Sequence, residues 1–250
     1  MRALTEEIDN LYPPVSDGTV SGLLSNMDAW GIGASVVHPV ITKQSQTRTA
    51  NEWAAGICSE RIICFGGICP HTDDYKRDID FVSGLGLKGL KFHAEYQDFI
   101  LDDDRMLKIY DYALGKGLIL LHHAGYDPAF KPPYRSDPRR IARAAGLMRG
   151  GIIVAAHLGG QEQWDDVEKY LAGSSVYFDT SMGFEFYPRE QFLRIVAKHG
   201  ADKILFGSDA PWSNAFTEIA HLNSTPLSDA DKQKILGGNA ERILGLVNAY

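Results

Sequence analysis

The rhythm of the apolar runs constrains this chain most. ASVVHPV (34–40), RIICFGGI (61–68), KGLKFH (88–93), LILLHH (118–123), GIIVAAH (151–157), SVYFDTS (175–181) and KILFGSD (203–209) each read as a buried strand. Amphipathic stretches at 47–60, 74–86, 102–117, 138–148, 162–173 and 188–200 read as the helices between them, and 214–247 as a helical tail. Strand and helix alternating at roughly 25–33 residues indicate βαβ units and a parallel sheet. The strands are apolar throughout rather than alternating, as expected when both faces of a sheet are covered. No Gly-rich phosphate loop follows any strand, which argues against a doubly wound nucleotide-binding sheet. A chain of 250 residues suits one closed (β/α)8 barrel, with 1–250 as a single domain.

Polar residues gather where these strands end: His38, His93, His123, His157, Asp179 and Asp209. In a barrel those ends share one face, and that face carries the chemistry. Side chains alternate along a strand, so His122 and His123 point to opposite faces. His123, before the small pair Ala124–Gly125, is the functional candidate, and His122 the structural one. His157 repeats the pattern before Leu158–Gly159–Gly160, and Asp209 ends its strand before Ala210–Pro211–Trp212. Two imidazoles and a carboxylate on one face are the donor chemistry of zinc or another divalent transition metal. Such an ion lowers the pKa of bound water toward about 7 and polarises a carbonyl. Lys91 and His93, two apart, share a face; they are read as substrate-binding residues, with carbamate bridging as another role for Lys91. His38 and His71 sit beside proline in loops and are read as bland. Asp179 is read as orienting a neighbour or capping a helix, and His199 and His221 as surface or helix-terminal residues.

Taken in order, GLKGLKFHAEYQDF, LLHHAGYDP, VAAHLGG, VYFDTS and ILFGSDAPW resemble the amidohydrolase-related family of metal-dependent TIM-barrel hydrolases. Its branch containing aminocarboxymuconate-semialdehyde decarboxylase-like enzymes is included in that resemblance. The resemblance implies a metal held by a His-x-His pair from the first strand, a His from the fifth and an Asp from the eighth. His123 takes the fifth-strand place, His157 the sixth-strand place as base or second ligand, and Asp209 the eighth-strand place as ligand and proton acceptor. Trp212 and the loop 127–135 are expected to line the pocket. The implied activity is hydrolysis by metal-activated water at a carbonyl-type carbon, with zinc as the default ion. Nonoxidative decarboxylation is the alternative in the same fold, and a catalytically inactive barrel the alternative outside it.

Two features depart from that pattern. Only about seven strands are readable, and no His-x-His occurs in the chain. Both absences fall at the first strand, since residues 1–12 read as helix. The expectation is that about 15–20 residues bearing that strand lie upstream of Met1; the alternative, a true truncation, leaves two open strand edges.

Composition narrows the partners. The net charge is −7 with no basic stripe, which speaks against nucleic acid. Cys58, Cys64 and Cys69 are odd in number and lack CxxC spacing, so a disulfide framework is not expected and a reducing cytoplasm fits. No apolar stretch approaches the length of a membrane span, and the N-terminus lacks the apolar core of a signal peptide. The expected partner is a small-molecule substrate, with a homodimer as the oligomeric expectation.

Overall fold

The computed structural model describes residues 12–148 and 150–246. The helix read at 1–12 therefore lies almost wholly outside the described residues. Seven parallel strands are present: β1 (Ser35–Val37), β2 (Ile62–Cys64), β3 (Gly89–Phe92), β4 (Ile119–His122), β5 (Ile153–Ala155), β6 (Tyr177–Asp179) and β7 (Ile204–Leu205). They pair in chain order, β1 with β2 and β3 through β7 in succession. Gly66, just past β2, joins the two groups: its N–H donates to Gly89 and its carbonyl accepts from Lys91. Among the described residues β1 and β7 do not pair with each other. The regular ladders are shorter than the apolar runs: β3, β4 and β5 stop before His93, His123 and His157, whereas β6 includes Asp179.

Helices precede β1 and follow the strands: α1 (Val20–Trp30), α2 (Thr47–Ile57), α3 (Tyr75–Gly84), α4 (Asp104–Gly115), α5 (Pro138–Leu147), the short α6 (Trp164–Asp166) running into a π-helical turn Val167–Leu171, and α7 (Arg189–His199). The tail forms α8 (Ala215–Asn223), α9 (Asp229–Gln233) and α10 (Asn239–Leu244). Their starts follow local chemistry. Asp137 accepts the N–H groups of Arg139 and Arg140, with Pro138 as the first helical residue, and Thr19, Asp74 and Asn214 cap α1, α3 and α8 in the same way.

Strand alternation sorts the core into two layers. Leu90, Phe92, Leu120, Ile153, Ala155, Phe178 and Ile204 pack outward against the helices. Ile63, Phe65, Ile119, Leu121, Val154, Ala156 and Leu205 meet one another on the inner side, where Leu244 of α10 joins them. Phe92, His122, Ala155, Phe178 and Ile204 form one register row across five strands. Truncating a ring in that row, such as Phe178, removes about 3–5 kcal/mol. No helix among the described residues is long and apolar enough to cross a membrane.

Candidate active site

Beyond the ends of the strands lies a cavity of about 500 Å³. Its walls include Lys91, His93, His123, His157, Asp209 and Trp212, all six of the residues singled out in the sequence. Tyr12, His38, Tyr96, Tyr126, Asp127 and Gln161 complete much of the rest. The parity argument places the two adjacent histidines correctly. His122 faces the helix layer, stacked 5.5 Å from Phe92 and edge-on to Tyr110 at 4.9 Å. His123 faces the cavity.

The small residues after His123 serve the backbone rather than clearing space before the ring. Gly125 has φ of 85°, and a Cβ there would lie 2.4 Å from the nitrogen of Gln161. That close approach lets the loops after β4 and β5 continue the pairing: Gln161 N–H donates to Ala124 O at 2.8 Å and Tyr126 N–H to Gln161 O at 2.9 Å. His123 and His157 are thereby held side by side, His157 Nε2 lying 3.1 Å from His123 Nδ1.

His157 sits on strained backbone, with φ of 59°, and Asp209 likewise with φ of 58°. Left-handed conformation in a residue with a Cβ costs on the order of 1–3 kcal/mol and persists where the surroundings impose it. At His157 the imposing groups are visible. Its backbone N–H donates to Asp179 Oδ1 at 3.1 Å, its Nδ1 meets Ser181 Oγ at 2.9 Å, and its carbonyl accepts from the Trp164 indole at 3.1 Å. Asp179 thus orients a neighbour rather than capping a helix.

His93 stacks on His123, ring centroids 4.0 Å apart and nearly parallel. Its Nε2 lies 3.2 Å from Asp127 Oδ2, and its Nδ1 accepts weakly from the Tyr96 N–H at 3.5 Å. Glu95, also buried, is taken up by Ser136 Oγ at 3.1 Å and the Arg135 N–H at 2.8 Å. Only the start of loop 127–135, Asp127 and Pro128, lines the cavity, and Asp127 is a residue the sequence reading did not single out.

Among the described residues one set of three possible metal donors converges, with donor atoms all within 4.8 Å of one another: His93, His123 and Asp127. Asp209 lies on the same cavity wall but outside that group; its charge acts on Lys91 and His38. His123 Nε2 is buried with no hydrogen-bond partner. A bare imidazole nitrogen beside a carboxylate and a second imidazole fits a divalent transition metal.

The electrostatics disfavour the charged forms of His123 and His93. Burial pushes His123 well below the usual histidine value, and His93, His157 and Lys91 add to that; only the backbone of Tyr126 opposes it. Burial also lowers His93, against Asp127, and lowers Lys91, against Asp209 and Asp179. Lys91 is 6% exposed and has no ion-pair partner among the described residues. His38, read as bland, is in fact on the cavity wall, pushed down to about 4 by burial and by the charge of Lys91. His199, read as a surface or helix-terminal residue, ends α7 but is buried, stacked 3.9 Å from Phe178.

A family model described as amidohydrolase matches residues 5–246. The chain belongs to the amidohydrolase family. No curated protein matches it by sequence. Among solved structures it is similar to a 2,6-dihydroxybenzoate decarboxylase from Rhizobium, at 18% identity and TM-score 0.69, over 91% of this chain and 88% of that one. A TIM-barrel protein from Bordetella bronchiseptica aligns with TM-score 0.76 and 18% identity, over 98% and 90% of the two chains. A dihydroxybenzoic acid decarboxylase from Polaromonas with bound manganese and 2-nitroresorcinol aligns with TM-score 0.70 and 18% identity, over 93% and 87%. These likenesses establish the (β/α) barrel architecture of this amidohydrolase-family chain.

Proposed function

We propose that this amidohydrolase-family chain removes a carboxyl group, as carbon dioxide, from a small aromatic or unsaturated carboxylate, with a divalent metal in its cavity. The observation that carries this reading is Lys91. A buried ammonium with no ion-pair partner among the described residues is costly unless an anion arrives to pair with it. It faces a cavity walled by Tyr12, Tyr96, Tyr126 and Trp212, whose rings suit a planar substrate. The similar decarboxylases of 2,6-dihydroxybenzoate and dihydroxybenzoic acid support the same substrate class.

The residues that would hold the metal are His123 through its bare Nε2, together with Asp127 and His93. Manganese suits this donor set as well as zinc, and a manganese-bound relative supports it. When bound, the ion supplies a Lewis acid that polarises the substrate. The chain's own residues do the rest. Lys91 pairs with the carboxylate, the aromatic walls hold the ring plane and exclude water, and Asp209, having taken up a proton from solvent, passes it to the carbon that bears the carboxyl group. That C–C bond then breaks, its electron pair returns to the protonated ring system, and carbon dioxide leaves. The balance is one carboxylate plus one proton giving one hydrocarbon position and one carbon dioxide.

Hydrolysis, the leading expectation from the sequence and its family resemblance, asks for a free general base next to His123. His157 Nε2 is instead engaged by His123 Nδ1, which favours decarboxylation. Manganese- or zinc-loaded full chain should be incubated with carboxyl-13C hydroxybenzoates and the headspace measured by mass spectrometry. The expected result is labelled carbon dioxide that depends on metal and on Lys91. Cleavage of ester or amide analogues, with no labelled gas from any carboxylate, would sink the proposal.

A further inference from the structure

We infer that Asp179 and Ser181 are positioning residues that fix the tautomer of His157 and, through it, of His123, so that His123 turns a bare Nε2 lone pair into the cavity. The use of that lone pair for a metal rests on the proposed function; the tautomer itself does not.

The deduction runs along one chain of hydrogen bonds. Asp179 Oδ1 accepts the backbone N–H of His157 at 3.1 Å and of Ser181 at 3.0 Å. An oxygen facing two N–H donors is an acceptor, so the short contact between it and Ser181 Oγ is the serine hydroxyl donating. That spends the only hydrogen on Ser181 Oγ. His157 Nδ1, 2.9 Å away, must therefore donate to it. A second observation agrees: the carbonyl oxygen of Ser181, which can only accept, lies 3.4 Å from the same nitrogen. In the form of the His157 ring that carries one hydrogen, its place on Nδ1 leaves a lone pair on Nε2. His123 Nδ1, 3.1 Å away, is then the donor to it. Neutral His123 has one N–H, so its Nε2 carries none. That atom is the buried nitrogen without a partner.

His93 shows the opposite assignment, by the same logic. Asp127 Oδ2 takes its Nε2 hydrogen and the Tyr96 N–H meets its Nδ1. The two stacked rings differ in which nitrogen is bare, and only that of His123 is unclaimed. Second partners that set the orientation and basicity of a ligating histidine change metal affinity by about 10–100-fold when removed.

The test uses the metal-free full chain with 15N-labelled histidine. Long-range 1H–15N correlation spectra assign the protonated nitrogen of each ring. The expected spectrum has His123 and His157 both protonated on Nδ1. Ser181→Ala is expected to bring in the second tautomer of His157 and of His123, and Ser181→Thr, which keeps a hydroxyl, to restore the first. Cobalt(II) titration should then show weakening of about 10–100-fold in Ser181→Ala and recovery in Ser181→Thr. A wild-type His123 protonated on Nε2, donating to the Tyr126 carbonyl, would overturn the inference without any variant. An unchanged tautomer in folded Ser181→Ala would overturn the part assigned to Ser181. If the wild-type tautomers are as stated and no cobalt binds, the inference stands and the metal reading of the function fails.

Discussion

Replacing Lys91 with methionine should make the protein more stable and less active. The side chain is 6% exposed and lies among inward-facing groups, with Asp209 and Asp179 near enough to act on it but no ion pair to it among the described residues. The penalty for holding an ammonium in such surroundings is several kcal/mol, part of which those two acids offset. Methionine matches the stem and removes the charge, so a net gain of about 2 kcal/mol is expected. For a chain of this size that raises the thermal midpoint by about 4–8 °C. The linkage has the same sign. Burial depresses the pKa of Lys91. The native state therefore binds its proton less readily than the unfolded one, and the cost is fully present below the folded pKa. Neutral pH lies well below the unfolded value of about 10.4, so the cost, and the gain from removing it, is present at pH 7 and fades only as pH rises toward that value. The anchor for the substrate carboxylate is lost as well. A hydrogen bond to a charged group contributes about 1.5–3 kcal/mol, so kcat/KM should fall about 10- to 150-fold. Circular dichroism melts at pH 7 and steady-state carbon dioxide release read the two effects. A midpoint that drops, or a kcat/KM that holds, would refute the reasoning that Lys91 is an incompletely compensated cation kept for substrate.

Three further outcomes follow from the geometry. His199, held near 4 by burial, binds its proton in the unfolded chain before the folded one, so stability falls as pH drops from 6.5 toward 4. His199→Leu should remove on the order of 1.4 kcal/mol per pH unit from that slope between pH 6.5 and 5, read from denaturant midpoints. Asp127→Asn should weaken metal binding by calorimetry, because it removes the one carboxylate from the set His93, His123 and Asp127. His122→Phe, in the stack against Phe92 and Tyr110 and outside the cavity, should keep carbon dioxide release within about threefold of wild type, since volume-conserving swaps cost less than about 1.5 kcal/mol.

The barrel was legible because its signals are periodic. Alternation along β3 and β4 alone puts Lys91, His93 and His123 inward and Phe92 and His122 outward, and the structure agrees. Alternation stops being a guide where the ladder stops. β5 ends at Ala155, and the left-handed backbone at His157 turns that ring by a rule no strand pattern contains. Asp127 reaches His93 from a loop with no periodicity, and Ser181 reaches His157 from beyond the end of β6. A usable signal did exist for Ser181: it lies two residues after Asp179, so both continue one side of the strand. His38 offered a similar signal, one residue past Val37, which packs on the outer core. The proline beside it masked that parity.

Removal of carbon dioxide and attack by water leave different atoms in the product. The most direct test runs the metal-loaded chain on a panel of aromatic carboxylates and their ester analogues in 18O-labelled D2O, with the organic product analysed by mass spectrometry. The account predicts one deuterium at the carbon that lost its carboxyl group and no 18O. Incorporation of 18O, with the carboxyl carbon retained, would contradict it.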